Sequence, residues 1–195
     1  MKIRAMIMIC LSILLISACA VRKPPAIFVD VYHSSYQPKF DPAAYSEYKG
    51  KTIIFVSIAN ESKNTTMLGY YSADGSVRYT MNYSMGKMPP PVESFLWYTL
   101  QKSFAHAGVT ATNENVADKL TLLLTLTSLD DREAKFQMQL SRTEKLLIRK
   151  EITVAQNLPP TKDIAELESR TYSYIDSMTV AILSDPDFKK EMLTP

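Results

Sequence analysis

The chain has 195 residues, with 22 Lys and Arg against 20 Asp and Glu, a formal net charge of +2, two His, two Cys and five Gly. A near-neutral chain without a Lys/Arg tract lacks the electrostatic footprint of a nucleic-acid binder. G-x-S-x-G, H-E-x-x-H and Cys/His ligand clusters are absent from the sequence, and five glycines leave little material for phosphate-cradling loops, so neither an enzyme nor a cofactor is expected.

The N-terminal run MKIRAMIMICLSILLISAC has a charged start at Lys2 and Arg4, an apolar stretch over residues 5–16 too short to span a bilayer comfortably, and the small residues Ser17 and Ala18 before Cys19. It resembles a type II bacterial signal peptide, with Ile16, Ser17, Ala18 and Cys19 in the four lipobox positions. The resemblance implies cleavage after residue 18 and attachment of lipid, including an acyl chain such as palmitate, to Cys19. Lys2 and Arg4 leave with the signal, so the 22 basic residues fall to 20 against 20 acidic ones. Cys10 leaves too, and no thiol remains for a disulfide. Ala20 after the cysteine, by resemblance to enterobacterial sorting, favours the periplasmic face of the outer membrane. The expected organisation is a signal peptide over 1–18, a lipidated N-terminus and tether over 19–26, and a single periplasmic α+β domain over 27–195, long enough for a real core and short for two domains. Pro24-Pro25 favours extended geometry, giving the tether a reach of roughly 20 Å.

Ile27–Tyr32 (IFVDVY) predicts the first strand, and the Pro- and Tyr-bearing stretch 33–50 reads as irregular. Lys51–Ala59 (KTIIFVSIA) is nearly continuously apolar, which predicts a central strand buried on both faces. Over Met67–Met85, Asp74-Gly75 between β-rich flanks predicts a hairpin with a type I′ turn, since both central residues tolerate positive φ. Tyr79, Met81 and Tyr83 lie two apart and share a face, with Tyr70 or Tyr71 across from them. That face either packs under the helices or forms an aromatic and methionine ridge for a partner; Tyr70, Tyr71, Tyr79, Met81 and Tyr83 are therefore the candidate partner-binding residues.

Val92–Ala107 has apolar residues at 92, 95, 96, 100, 104 and 107 on one helical stripe, with Glu93 at the positive end and Gly108 at the left-handed position after the last turn. Leu120–Leu129 alternates Leu with Thr, and Ala134–Leu140 and Lys145–Val154 alternate similarly, joined by short connections that predict antiparallel pairing. A long helix is predicted over 162–183, with Ile164, Leu167, Thr171, Tyr174, Ile175, Met178 and Ile182 on one side, and Asp187–Leu193 adds one or two turns. The fold class that follows is α+β: one antiparallel sheet with two amphipathic helices packed on one face.

Asp130, Asp131 and Glu133 read as a solvated acidic turn in preference to a cation site. Met81, Met85 and Met88 resemble spaced-methionine Cu(I) sites, but without a nearby His or Cys no metal is expected. The succession of lipobox, buried strand, Tyr-bearing hairpin leading into a helix (SVRYTMNYSM…VESFLWYTLQKSFAHAGV), three antiparallel strands and a long C-terminal helix is similar to the auxiliary lipoprotein component of ABC-type intermembrane lipid transport systems and to the YajG-type lipoproteins of unknown function. The early strand IFVDVY and a Trp97 inside the helix differ from the Tyr-Tyr-x-Leu segment and pre-helical Trp usual in the auxiliary lipoproteins. The resemblance implies a membrane-tethered, non-enzymatic accessory or docking component of an envelope transport or assembly complex, partnered by the membrane through its lipid and by an envelope protein. The alternative is a periplasmic carrier of a lipid, a glycan or Cu(I).

Overall fold

The computed structural model describes residues 26–62, 67–71, 78–83, 92–114, 118–129, 133–156, 158–159 and 161–194. Cys19, the signal segment, the Asp74-Gly75 turn, Met85, Met88, Asp130 and Asp131 lie outside the described residues. In chain order the elements are β1 (Ala26–Val31), a 3-10 helix (Pro42–Tyr48), β2 (Thr52–Asn60), β3 (Met67–Tyr71), β4 (Arg78–Tyr83), α1 (Val92–His106), β5 (Thr110–Thr112), β6 (Leu120–Leu129), β7 (Glu133–Arg142), β8 (Lys145–Ala155), α2 (Ile164–Leu183) and α3 (Pro186–Leu193).

The larger sheet has the order β5-β2-β6-β7-β8. Its inner face follows the alternation of β6 and β7: Leu120, Leu122, Leu124, Phe136, Met138 and Leu140 are all buried. α1 packs on β2 and β5, α2 packs on β8, and the two helices pack on each other. Along α1, the predicted stripe of Val92, Phe95, Leu96, Leu100, Phe104 and Ala107 is buried throughout. The helix closes at Gly108 (φ 83), with Val109 N–H bonded to the Phe104 carbonyl at 2.9 Å and Gly108 N–H to that of Ala105 at 3.0 Å, the paired bonds of a Schellman motif. On α2 the stripe is buried from Leu167 to Ile182, but Ile164, in the first turn, is exposed.

The α+β class holds, while the expectation of a single antiparallel sheet is corrected in two respects. First, the larger sheet is mixed: β6, β7 and β8 pair antiparallel, as their short connections require, but β2 pairs parallel with both β5 and β6. The α1 crossover between β2 and β5 supplies the long connection that parallel neighbours need. Second, β1 does not join that sheet; it pairs parallel with β4, and β4 antiparallel with β3, in a separate sheet of order β1-β4-β3. Strand β2 lies inside the larger sheet, between β5 and β6, with Ile53, Ile54 and Phe55 buried in succession. A one-residue bulge interrupts the β2–β6 register between Phe55 and Ile58, leaving Val56 54 % exposed.

The stretch 33–50 is ordered by a local cap and by long-range contacts to α2. Asp41 caps the 3-10 helix, accepting from Ala43 N–H at 2.9 Å, and three tyrosines of the stretch reach α2 or its C-terminal end. Tyr36 Oη lies 2.6 Å from Asp176 Oδ1, Tyr45 Oη lies 3.4 Å from Ser184 Oγ, and Tyr48 Oη donates to the Leu183 carbonyl at 2.6 Å. Tyr36 and Tyr48 are fully buried. Burial of the Tyr36 ring, then its bond to Asp176, raises its pKa far above the ordinary phenol value; burial does the same for Tyr48. Val29 and Val31 of β1 join the same continuous core as these rings and both helices.

Candidate functional site

The register of the smaller sheet brings the predicted hairpin residues together. Tyr70 stands opposite Tyr79, Tyr71 opposite Arg78 and Leu68 opposite Met81, a pairing symmetric about residues 74 and 75. On the other side of β4, Ile27, Val29 and Val31 stand opposite Tyr79, Met81 and Tyr83. Register partners share a sheet face, so 79, 81 and 83 occupy the face on which Val29 and Val31 are fully buried, while 78, 80 and 82 share the face on which Asp30 is exposed. Whether the five candidate side chains build an exposed ridge lies outside the described residues. β3 is the outer strand of its sheet, and among the described residues no strand pairs with its far edge.

A second feature, which sequence reasoning missed, is a groove between α1 and the β2 bulge. Val56, Ser57, Ile58, Glu93, Ser94, Trp97, Tyr98 and Asn113 line a space of about 280 Å³. The bulge displaces the backbone from the ladder, and the Trp97 indole N–H donates to the Phe55 carbonyl at 3.0 Å, fixing the ring beside the strand. Trp97 and Tyr98 meet edge to face, with centroids 4.8 Å apart, and the His33 ring centroid lies 5.1 Å from that of Tyr98. Burial, then the nearby Lys102 cation, lowers the His33 pKa below the usual imidazole value. Glu93 is half-buried at the mouth of the groove and accepts from Asn60 Nδ2 at 3.2 Å through Oε2. The available signal was the i, i+4 spacing of Glu93 with Trp97 and of Ser94 with Tyr98; the bulge that opens the opposite wall has no such signature.

The other polar clusters are structural. Ser103, Thr179 and Tyr36, with the half-buried Asp176, form a hydrogen-bonded network between the two helices and the stretch before the 3-10 helix, with Thr179 Oγ1 and Ser103 Oγ 2.8 Å apart. His106 Nε2 sits 3.1 Å from the Phe40 carbonyl, at the end of α1. Among the described residues no group of three or more His, Cys, Asp and Glu is placed to hold a metal ion. Among the same residues no helix is long and apolar enough to cross a membrane.

No family model and no curated protein matches the sequence. Among solved structures, protein XCC0632 from Xanthomonas campestris, a DUF330 protein, aligns with a TM-score of 0.52 at 12% identity, over 87% of this chain and 100% of that one. Lipoprotein GNA1162 from Neisseria meningitidis aligns with a TM-score of 0.31 at 13% identity, over 64% of this chain and 96% of that one. The chain thus shares its mixed α+β fold with the DUF330 protein.

Proposed function

We propose that the chain is a lipid-anchored protein of the outer membrane's periplasmic face that performs no chemistry of its own and docks, as an accessory component, on an envelope transport or assembly complex. The observation that carries this reading is the far edge of β3. The strand reads MLGYY, with no Pro and no charged residue to blunt the edge, and among the described residues no strand pairs with its outward N–H and C=O groups, the arrangement strand addition uses. A strand of the partner protein added beside β3 would extend the β1-β4-β3 sheet, and the Cys19 anchor would hold that edge within tether reach of the bilayer. The alternative is a carrier of a lipid, a glycan or Cu(I); two of the grooves lined by described residues measure about 280 and 340 Å³, near the small end of ligand pockets.

The test uses Tyr71→Lys, which puts a charge on the edge strand at a position sharing the face of exposed Asp30. Co-purification of the envelope partner should disappear, and stability should change by no more than about 0.5 kcal/mol, as surface substitutions do. Tyr79→Ala, on the opposite face of the sheet from position 71, is the contrast: it should leave binding per folded molecule unchanged. Undiminished co-purification by a folded Tyr71→Lys chain would refute docking through this edge.

A further inference from the structure

The groove between α1 and the β2 bulge is lined by no residue of β3 and stands whether or not the β3 edge binds a strand. Its composition is specific. Trp97 and Tyr98 supply aromatic surface, Val56 and Ile58 supply aliphatic surface, and Glu93 supplies one carboxylate. Among the described residues no Lys, Arg or His forms an ion pair with Glu93, and the hydrogen bond it accepts comes from the neutral amide of Asn60. An uncompensated carboxylate beside indole and phenol rings is an environment that favours a cation, which gains both Coulomb attraction and the negative faces of the rings. Its helical spacing reinforces this: Glu93 and Trp97 are i, i+4 on α1, so one group can touch both.

We propose that this groove receives a lysine side chain of a protein partner, with the methylene stem against Val56, Trp97 and Tyr98 and the ammonium at Glu93. Two features select lysine among cations. Glu93 Oε2 is already engaged by Asn60, which leaves one oxygen and favours a single-point ammonium over the two-point fork of an arginine. None of the eight lining residues is a Lys or Arg, so a head group such as phosphoethanolamine would bring its phosphate against Glu93 with no cation to receive it. The volume of about 280 Å³ suits one long side chain.

Trp97 is the only tryptophan of the chain, so its emission reports the groove alone. The full chain in detergent micelles is titrated with N-acetyl-lysine N-methylamide. A saturable change in Trp97 emission is expected, with apparent affinity at least fivefold better than for the corresponding arginine or norleucine amides or for phosphoethanolamine. Glu93→Gln, which retains an acceptor for Asn60, should weaken the lysine probe at least fivefold at an unchanged melting temperature. If that variant melts early, Tyr98→Leu, at a position 40 % exposed, decides instead and should weaken the probe similarly. No saturable change, an equal response to norleucine amide, or full affinity in the deciding variant overturns the proposal. Tighter binding of phosphoethanolamine overturns it in favour of a lipid head group, and tighter binding of the arginine amide overturns the choice of lysine.

Discussion

Gly108 carries two constraints that only glycine meets together. Its φ of 83° is the left-handed value that ends α1, and a Cβ there would stand 3.1 Å from the Lys49 Cα, a backbone atom that cannot swing aside. Gly108→Ala should therefore lower stability by about 2 kcal/mol, read as a lower denaturant midpoint at unchanged slope; an unchanged midpoint would show that the segment around Lys49 yields freely. Thr143 and Glu144 are the opposite case. They form the two-residue connection between paired Arg142 and Lys145 with φ of 48° and 65°, the positive values of a type I′ turn, yet one is β-branched and neither is Gly or Asn. Replacing the pair by Asn-Gly should raise stability by about 1 to 2 kcal/mol. A lower midpoint would mean that the Thr143 or Glu144 side chain contributes more than the backbone strain costs. At Gly108 the residue type announced the geometry, while at Thr143-Glu144 only the shortness of the connection did.

At the scale of elements, the strong periodicities carried through to the structure. Leu120, Leu122, Leu124 and Leu126 on β6 and the α1 stripe from Val92 to Phe104 are core, because each repeats its period over several turns or pleats. β5 spans three residues, too few to show a period, and the 3-10 helix over Pro42–Tyr48 owes its order to tyrosine hydroxyls reaching α2, a contact more than a hundred residues away in the chain. α3 forms the one or two turns expected at the C-terminal end, since Asp185 accepts from the N–H groups of Asp187 and Phe188 and Pro186 fills the first position. Asp185 also meets Lys150 of β8 at 2.5 Å. Burial opposes its ionisation, but the Lys150 bond and the cap N–H groups outweigh it and hold the carboxyl below the ordinary 3.8. A depressed carboxylate stabilises the fold above its unfolded pKa and loses that contribution as pH falls through the folded value. Asp185→Asn keeps the cap and removes the charge. The wild type should exceed it by about 1 kcal/mol at neutral pH, and the gap should close as acid titrates Asp185, followed by melting temperature against pH. A gap that persists at low pH would locate the effect outside the ion pair.

For the whole molecule, the layout of helices over a sheet was legible and the division into two sheets was not. The residues of IFVDVY show that β1 is an apolar strand, but its choice of β4 over β2 is made by tertiary packing, which no local pattern encodes. The same holds for function. The aromatic hairpin was visible in the sequence, whereas its parallel register with β1 and the outer position of β3 in a separate sheet were not. The groove of Trp97 and Glu93 depends on a bulge at Val56 and Ser57 that nothing in KTIIFVSIA marks.

The claim that this is a tethered protein docking by its β3 edge is tested most directly by placing a photo-crosslinking residue at position 71 of the full chain in growing cells, with position 123, on an exposed leucine of the larger sheet, as the control. The account predicts an adduct with one envelope protein from position 71 and none from 123, and loss of the adduct when Cys19→Ser blocks lipid attachment. An equal adduct from both positions, none from position 71, or one that survives Cys19→Ser would contradict it.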